Sequence, residues 1–226
     1  MRIPLTKYGL PQVVVYPVIV LALIAIAIFF IVFKPLLIAA LLVLFAILIW
    51  MLAFFRDPHR TIKTDENTLY SPADGTITDI EVCEENDLGL KALRIGMFLS
   101  IFNVHINRCP CSVRVKNVVY KKGKFKNAMS SESGRVNESN SVFMIRQNEP
   151  RETILVKQIS GAIARRIVCA AKENAEFRQG DQFGMIKFGS RTELYIPAGS
   201  HFEVKVKIGD KVRAGLTPLL SFTGKV

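Results

Sequence analysis

The chain opens on two long apolar runs. Residues 12–33 carry no charge over 22 positions, and residues 36–55 carry none over 20 more. A bilayer core of about 30 Å is crossed by about 20 apolar residues in helix, so each run is long enough to span. Lys34-Pro35 separates them, and proline stops a helix while lysine seeks water. The pattern predicts a tight hairpin of two transmembrane helices, with a hairpin only partly inserted as the other reading. A cleaved signal peptide fits poorly, because the apolar length is twice that of a signal core and no small-residue cleavage site follows. Arg2 and Lys7 precede the hairpin and Arg56, Arg60 and Lys63 follow it. The positive-inside tendency therefore puts both ends, and whatever follows, at the cytoplasmic side of the cell membrane.

Beyond residue 56 the period shortens. Residues 76–82, 93–99, 113–120, 141–145, 153–159, 183–188, 193–196 and 202–208 read as strands, with Gly, Asn or Pro between them. Residues 161–171 suit helix or strand equally. Residues 121–140 are polar and rich in Gly and Ser, which predicts a long loop. S-P-A-D-G-T-I (71–77) and I-G-D-K-V-R-A-G (208–215) look like turn-strand pieces of a lipoyl-like, barrel-sandwich sheet. The expected fold is α+β and mostly β: a membrane-anchoring helical hairpin over 1–55 and a β-rich domain over 56–226.

Charge sharpens this division. The first 55 residues hold three basic residues (Arg2, Lys7, Lys34) and no acid, leaving 27 basic against 19 acidic residues in the remainder. A basic domain behind an apolar anchor suits an anionic membrane surface. No basic, aromatic-studded strand of the base-stacking kind is present, so nucleic acid is not an expected partner. Cys83, Cys109, Cys111 and Cys169 form no C-x-x-C pair, and no paired histidines accompany them, so no metal site is expected.

Candidate chemistry centres on F-G-S-R-T-E-L-Y-I-P (188–197), where Gly189-Ser190 sits between two apolar runs. Glycine accepts left-handed or strained backbone, and the serine hydroxyl lies next to the carbonyl of residue 189. A tight turn between strands is one reading; a self-processing bond, in which the hydroxyl attacks its own preceding carbonyl, is the other. Of three histidines, His105 in N-V-H-I-N-R is the best base, since imidazole titrates near neutral pH. Between Val104 and Ile106, however, a histidine is more often a satisfied core residue than a catalyst. Asp74 in P-A-D-G is either a turn residue or the carboxylate that orients the imidazole. No G-x-S-x-G elbow surrounds Ser190, which argues against an ordinary serine hydrolase. A non-catalytic membrane-anchored barrel-sandwich adaptor would explain the strands and the anchor, but gives no reason for a Gly-Ser pair in a chain with His105 and Asp74.

Five blocks in order, F-F-R-D-P-H-R (54–60), S-P-A-D-G (71–75), N-V-H-I-N-R (103–108), Q-I-S-G-A-I-A-R-R-I (158–167) and K-F-G-S-R (187–191), with N-E-S at 137–139, make a specific signal. Through them the sequence resembles the short, membrane-bound phosphatidylserine decarboxylase proenzymes, including their archaetidylserine decarboxylase relatives. The resemblance covers about three quarters of the chain. It implies self-cleavage between Gly189 and Ser190 into a β chain (1–189) and an α chain (190–226), which remain together as a heterodimer, with any higher oligomer open. It implies that Ser190 becomes a covalent pyruvoyl cofactor, that His105 and Asp74 assist the cleavage, and that the pyruvoyl carbonyl forms a Schiff base with a membrane phospholipid substrate. Arg165 and Arg166 are candidate phosphate contacts, or else members of surface ion pairs. One departure stands out: the longer bacterial branch has a histidine three residues before the one matching His105, where this chain has Phe102.

Overall fold

The computed structural model describes residues 5–85, 88–130, 132–162, 166–187 and 189–223. It divides into two units, Met1–His59 and Arg60–Val226.

In the first unit a single 3-10 turn, Lys7–Gly9, leads into helix α1 (Leu10–Phe30), and helix α2 (Lys34–Phe54) follows. Pro35 falls in the first turn of α2, where its missing N–H costs nothing. Leu5 and Arg56 form an antiparallel bridge, and Thr6 N–H donates to the Phe55 carbonyl at 2.9 Å, so the two ends of the hairpin meet. Both helices are long and apolar enough to cross a membrane. Their large side chains face outward, as with Phe29 at 80% exposed, a surface that suits hydrocarbon better than water.

The second unit is built from strands β1 (Thr68–Tyr70), β2 (Gly75–Glu85), β3 (Leu90–Leu99), β4 (Ile106–Arg108), β5 (Val113–Lys121), β6 (Ser139–Arg146), β7 (Thr153–Ile159), β8 (Ile167–Cys169), β9 (Glu176–Phe177), β10 (Gln182–Ile186), β11 (Ser190–Pro197), β12 (Phe202–Val204), β13 (Lys211–Val212) and β14 (Pro218–Phe222), with one short helix, α3 (Ser133–Val136). An antiparallel eight-stranded sheet runs β13-β2-β3-β11-β7-β6-β5-β9, flanked by three-stranded sheets β1-β14-β12 and β4-β10-β8. Among the described residues this pairing closes no barrel. The two barrel-sandwich-like pieces do meet: Lys211 pairs with Thr76 and Val212 with Gly75, while Ile77 N–H donates to the Asp210 carbonyl at 2.9 Å. They form one end of an open sheet.

Alternation along the central strands gives the sheet two unlike faces. Ile95, Met97, Val142, Met144, Ile154, Val156, Leu194 and Ile196 face the apolar core. The opposite face carries Asp79, Arg94, Arg191, Glu193 and Tyr195. Arg191 and Glu193, both fully buried, pair at 2.7 Å; Arg191 also reaches Asp79 at 2.6 Å and the Thr78 hydroxyl at 2.8 Å. Arg94 bonds Asp79 at 3.1 Å and also holds Glu81, and the Tyr195 hydroxyl donates to Glu193 at 2.6 Å. Burial opposes the charge on Asp79, but the bonds from Arg191 and Thr78 and the charges of Arg191 and Arg94 prevail and hold its carboxyl below the ordinary 3.8. Burial, then the Glu193 charge, pushes the Tyr195 hydroxyl well up, so it stays a neutral donor.

The expected loop over 121–140 is shorter and more ordered. β5 runs to Lys121, α3 occupies 133–136 and β6 starts at Ser139. Asn137 fastens it: its side chain accepts from Lys126 N–H and donates to the carbonyls of Lys126 and Ser160, each at 2.8 Å. The ambiguous stretch 161–171 contains strand β8, with residues 163–165 outside the described set.

Candidate active site

Gly189 has a φ of +58°, the left-handed region that glycine occupies without penalty, and immediately precedes β11. Ser190, the first residue of β11, pairs in register with Leu99 of β3. Its side chain is fully buried, and its hydroxyl has no hydrogen-bond partner among the described residues. An unsatisfied buried hydroxyl costs about 1–3 kcal/mol. The Gly189 carbonyl lies against Gly161: a Cβ at 161 would stand 2.0 Å from that oxygen and 3.2 Å from the Ala128 methyl. Only glycine permits this approach. On the other side a Cβ at 189 would meet Ile101 at 3.8 Å.

His105 is fully buried just before β4. Its Nδ1 lies 2.9 Å from the Asn103 carbonyl oxygen. A carbonyl only accepts, so Nδ1 carries the hydrogen, and in the neutral form of such a ring the lone pair is on Nε2, as a general base needs. The orientation expected from a carboxylate is thus supplied at Nδ1 by backbone. Asp74, also buried, is gripped elsewhere: Arg60 donates to its two oxygens at 2.7 and 2.8 Å, and Ala214 N–H donates to Oδ1 at 2.8 Å. Arg60 also donates to the Ala214 carbonyl at 2.6 Å. Block F-F-R-D-P-H-R thereby supplies the counter-ion of block S-P-A-D-G, a role that sequence reasoning did not give it.

The same reasoning also passed over a buried polar chain behind the serine. Asn107, on β4, donates to the Thr192 hydroxyl at 3.1 Å and accepts from Gln158 at 2.9 Å; Gln158 in turn accepts from Asn140 at 3.1 Å. Thr192 shares the face of Ser190 on β11, and Asn107 is two residues from His105. Asn107–Thr192 therefore ties the histidine-bearing segment to the serine-bearing strand one strand period from each group. Ile186 N–H, at the end of β10, donates to the His105 carbonyl at 3.2 Å and holds the histidine-bearing segment against β10 as well.

Of the two candidate phosphate contacts, Arg165 lies outside the described residues and Arg166 is exposed. Arg166 carbonyl accepts from Lys187 N–H at 3.2 Å. Burial, aided by the Arg166 charge, holds the Lys187 ammonium below its ordinary value. Cys109 and Cys111 are buried core thiols, the latter pushed up to about 12 by burial.

Residues 47–219 match the family described as Phosphatidylserine decarboxylase. A phosphatidylserine decarboxylase proenzyme of Rhodopirellula baltica is 40% identical over 215 residues, covering 95% of this chain and 87% of the relative. Proenzymes of the same name from Carboxydothermus hydrogenoformans and Wolbachia pipientis wMel are 43% and 44% identical over 177 and 169 residues, covering 78% and 73% of this chain and 81% and 72% of theirs. A buried serine behind a left-handed glycine, a tautomer-fixed histidine and these matches converge: the chain belongs to the phosphatidylserine decarboxylase family.

Proposed function

We propose that this protein decarboxylates phosphatidylserine, or its archaeal ether-lipid equivalent, to the corresponding ethanolamine lipid, after cutting itself between Gly189 and Ser190. The observation that carries the reading is the Gly189–Ser190 bond: left-handed at a half-buried Gly189 and followed by a fully buried serine whose hydroxyl has no hydrogen-bond partner among the described residues.

In the maturation step, Nε2 of His105 takes the Ser190 proton while Oγ attacks the Gly189 carbonyl carbon. The C–N bond breaks, the proton passes to the released amine, and an ester joins the two residues. Loss of the Ser190 α-proton then expels the Gly189 carboxylate. Water replaces the resulting enamine nitrogen, which leaves as ammonia, so that a ketone caps residue 190. Asp74 acts on this sequence by anchoring the turn before β2 through Arg60. A serine at the head of a central strand suits the pyruvoyl group, whose chemistry is an electron-withdrawing carbonyl at the point where carbon dioxide departs. For the later reaction, His105 returns a proton to the substrate carbon, and Arg166 meets the lipid phosphate. The α and β chains stay associated, and the hairpin holds the site at the cytoplasmic face of the cell membrane beside a substrate that remains in lipid.

The test is the intact mass of the purified protein with and without a carbonyl reagent. Two chains are expected, the shorter spanning residues 190–226 and gaining the reagent's mass. Ser190→Ala is expected to give one uncut, inactive chain. A continuous, unreactive wild-type chain would favour the adaptor reading.

A further inference from the structure

The segment Tyr120–Met129 reads Y-K-K-G-K-F-K-N-A-M, with Lys121, Lys122, Lys124 and Lys126 around Phe125. All four lysines are exposed. Lys126 meets Glu132 at 2.8 Å on the surface, whereas Lys122 and Lys124 have no carboxylate within salt-bridge distance among the described residues. Phe125 is 41% and Met129 58% exposed. This is an odd place for bare aromatic and thioether groups, because the segment is not loose: Asn137 fixes Lys126 to Ser160, and Ala128 is buried next to Gly161. Gly161 in turn touches the Gly189 carbonyl. On the other flank of Gly189 stands Ile101, and next to it Phe102, 70% exposed. Two ordered loops with exposed apolar tips, one of them strongly basic, thus flank the Gly189–Ser190 bond.

Single exposed hydrophobic residues are common and mean little. Aromatic groups interleaved with lysines are different, because that pattern matches the two layers of a membrane surface: acyl chains for the rings and anionic headgroups for the ammonium groups. We propose that these loops form a second membrane contact, independent of the helical hairpin, which docks the site onto an anionic bilayer. Phe102, Phe125 and Met129 enter the acyl boundary, and Lys122, Lys124 and Lys126 sit among the headgroups. Each lysine at such a surface strengthens attachment about fivefold, so three together supply about 100-fold. The contact has a consequence for the reaction as proposed: the serine lipid is anionic and the ethanolamine lipid is neutral, so the surface grips membrane that holds substrate and loosens as product accumulates. This last point rests on the proposed function; the docking itself does not.

Trp50 is the sole tryptophan, so Trp50→Phe with Phe125→Trp places one fluorophore at the loop tip. The full chain, carrying Ser190→Ala or not, is put in nanodiscs of brominated-chain phosphatidylcholine with or without phosphatidylglycerol, which is anionic but no substrate. The expected result is quenching of residue 125 in the phosphatidylglycerol discs, lost at 1 M salt, where the screening length falls to about 3 Å, and lost with Lys122, Lys124 and Lys126 changed to Gln. Emission at 125 unaffected by brominated lipid would overturn the proposal, and equal quenching in neutral discs would overturn the choice of an anionic surface. Quenching abolished by added RNA would reassign the lysines to nucleic acid. Because the Ser190→Ala chain gives the docking signal without cleavage, failure of the self-processing reading and failure of the docking reading are separately visible.

Discussion

Gly161→Ala is the sharpest probe of the proposed self-cleavage. The added methyl carbon would fall 2.0 Å from the Gly189 carbonyl oxygen and 3.0 Å from its carbon. Relief to even 3.0 Å from the oxygen takes about 1 Å of movement, and real contacts are longer still. Gly161 follows Ser160, whose N–H and hydroxyl donate to the Glu138 carbonyl at 2.9 and 3.1 Å and whose carbonyl accepts from Asn137, so the left-handed Gly189 peptide is the softer partner. The scissile carbonyl is then pushed about 1 Å from the line of attack, and misplacement of that size costs about 100-fold in rate. Global stability should fall by only about 1–3 kcal/mol, the usual cost of overpacking. The assay is the time course of two-chain product on a denaturing gel after synthesis in a cell-free system, with a denaturation curve of the uncut chain alongside. A slow but folded variant is the expected result. Cleavage at the wild-type rate would refute the claim that the position of this carbonyl controls the reaction.

Other substitutions test the supports. Arg60→Ala should destabilise the protein by about 3–5 kcal/mol, since it strands the buried Asp74 carboxylate, and Arg60→Lys should recover only part because it cannot bridge both oxygens; urea midpoints decide. Asn107→Ala leaves the Thr192 hydroxyl without its amide donor and takes from Gln158 its 2.9 Å bond, leaving it those to Asn140 and Val168, at about 1–3 kcal/mol in all; cleavage should slow by more than the stability loss of a comparable core change such as Met144→Ala would produce, and equal slowing by both would mean that Asn107 only supports the fold. The Asp79 carboxyl has a folded value below its unfolded value, so its stabilisation is complete above pH 3.8 and is lost as pH falls through the folded value; Arg191→Met should flatten that acid loss in a series of denaturation curves, and an unchanged slope would remove Arg191 from the cause.

The strands that alternate cleanly were legible. β2, β3, β5, β6, β7 and β11 all contain the expected runs because one face of each is apolar. β4 is not, because it has only three residues, all buried, and two of them, Asn107 and Arg108, are polar, so no period-two signal is left. The apolar pattern places Ser190 ahead of a strand at 193, whereas pairing begins at Ser190 itself; Arg191 and Glu193 look like solvent-facing residues until their partners on β2 and β3 are known. The Arg60–Asp74 pair joins two motifs that each read locally as linker and turn. The orienting carbonyl of Asn103 leaves no trace in residue type at all. In the loop, the asparagine of N-E-S stands out only as a motif member, and nothing local shows that one amide clasps Lys126 and Ser160 together.

β11 lies between β3 and β7, bonded to both along its length, while β14 joins β1 and β13 joins β2. A break just before β11 would therefore free an end without freeing a piece. The severed tail remains woven through four separate pairings contributed by the other fragment, and no hinge or sliding motion can draw it out. Such a molecule would behave in dilution as a single body, with no dissociation to limit its working life, and would come apart only when the whole sheet melts.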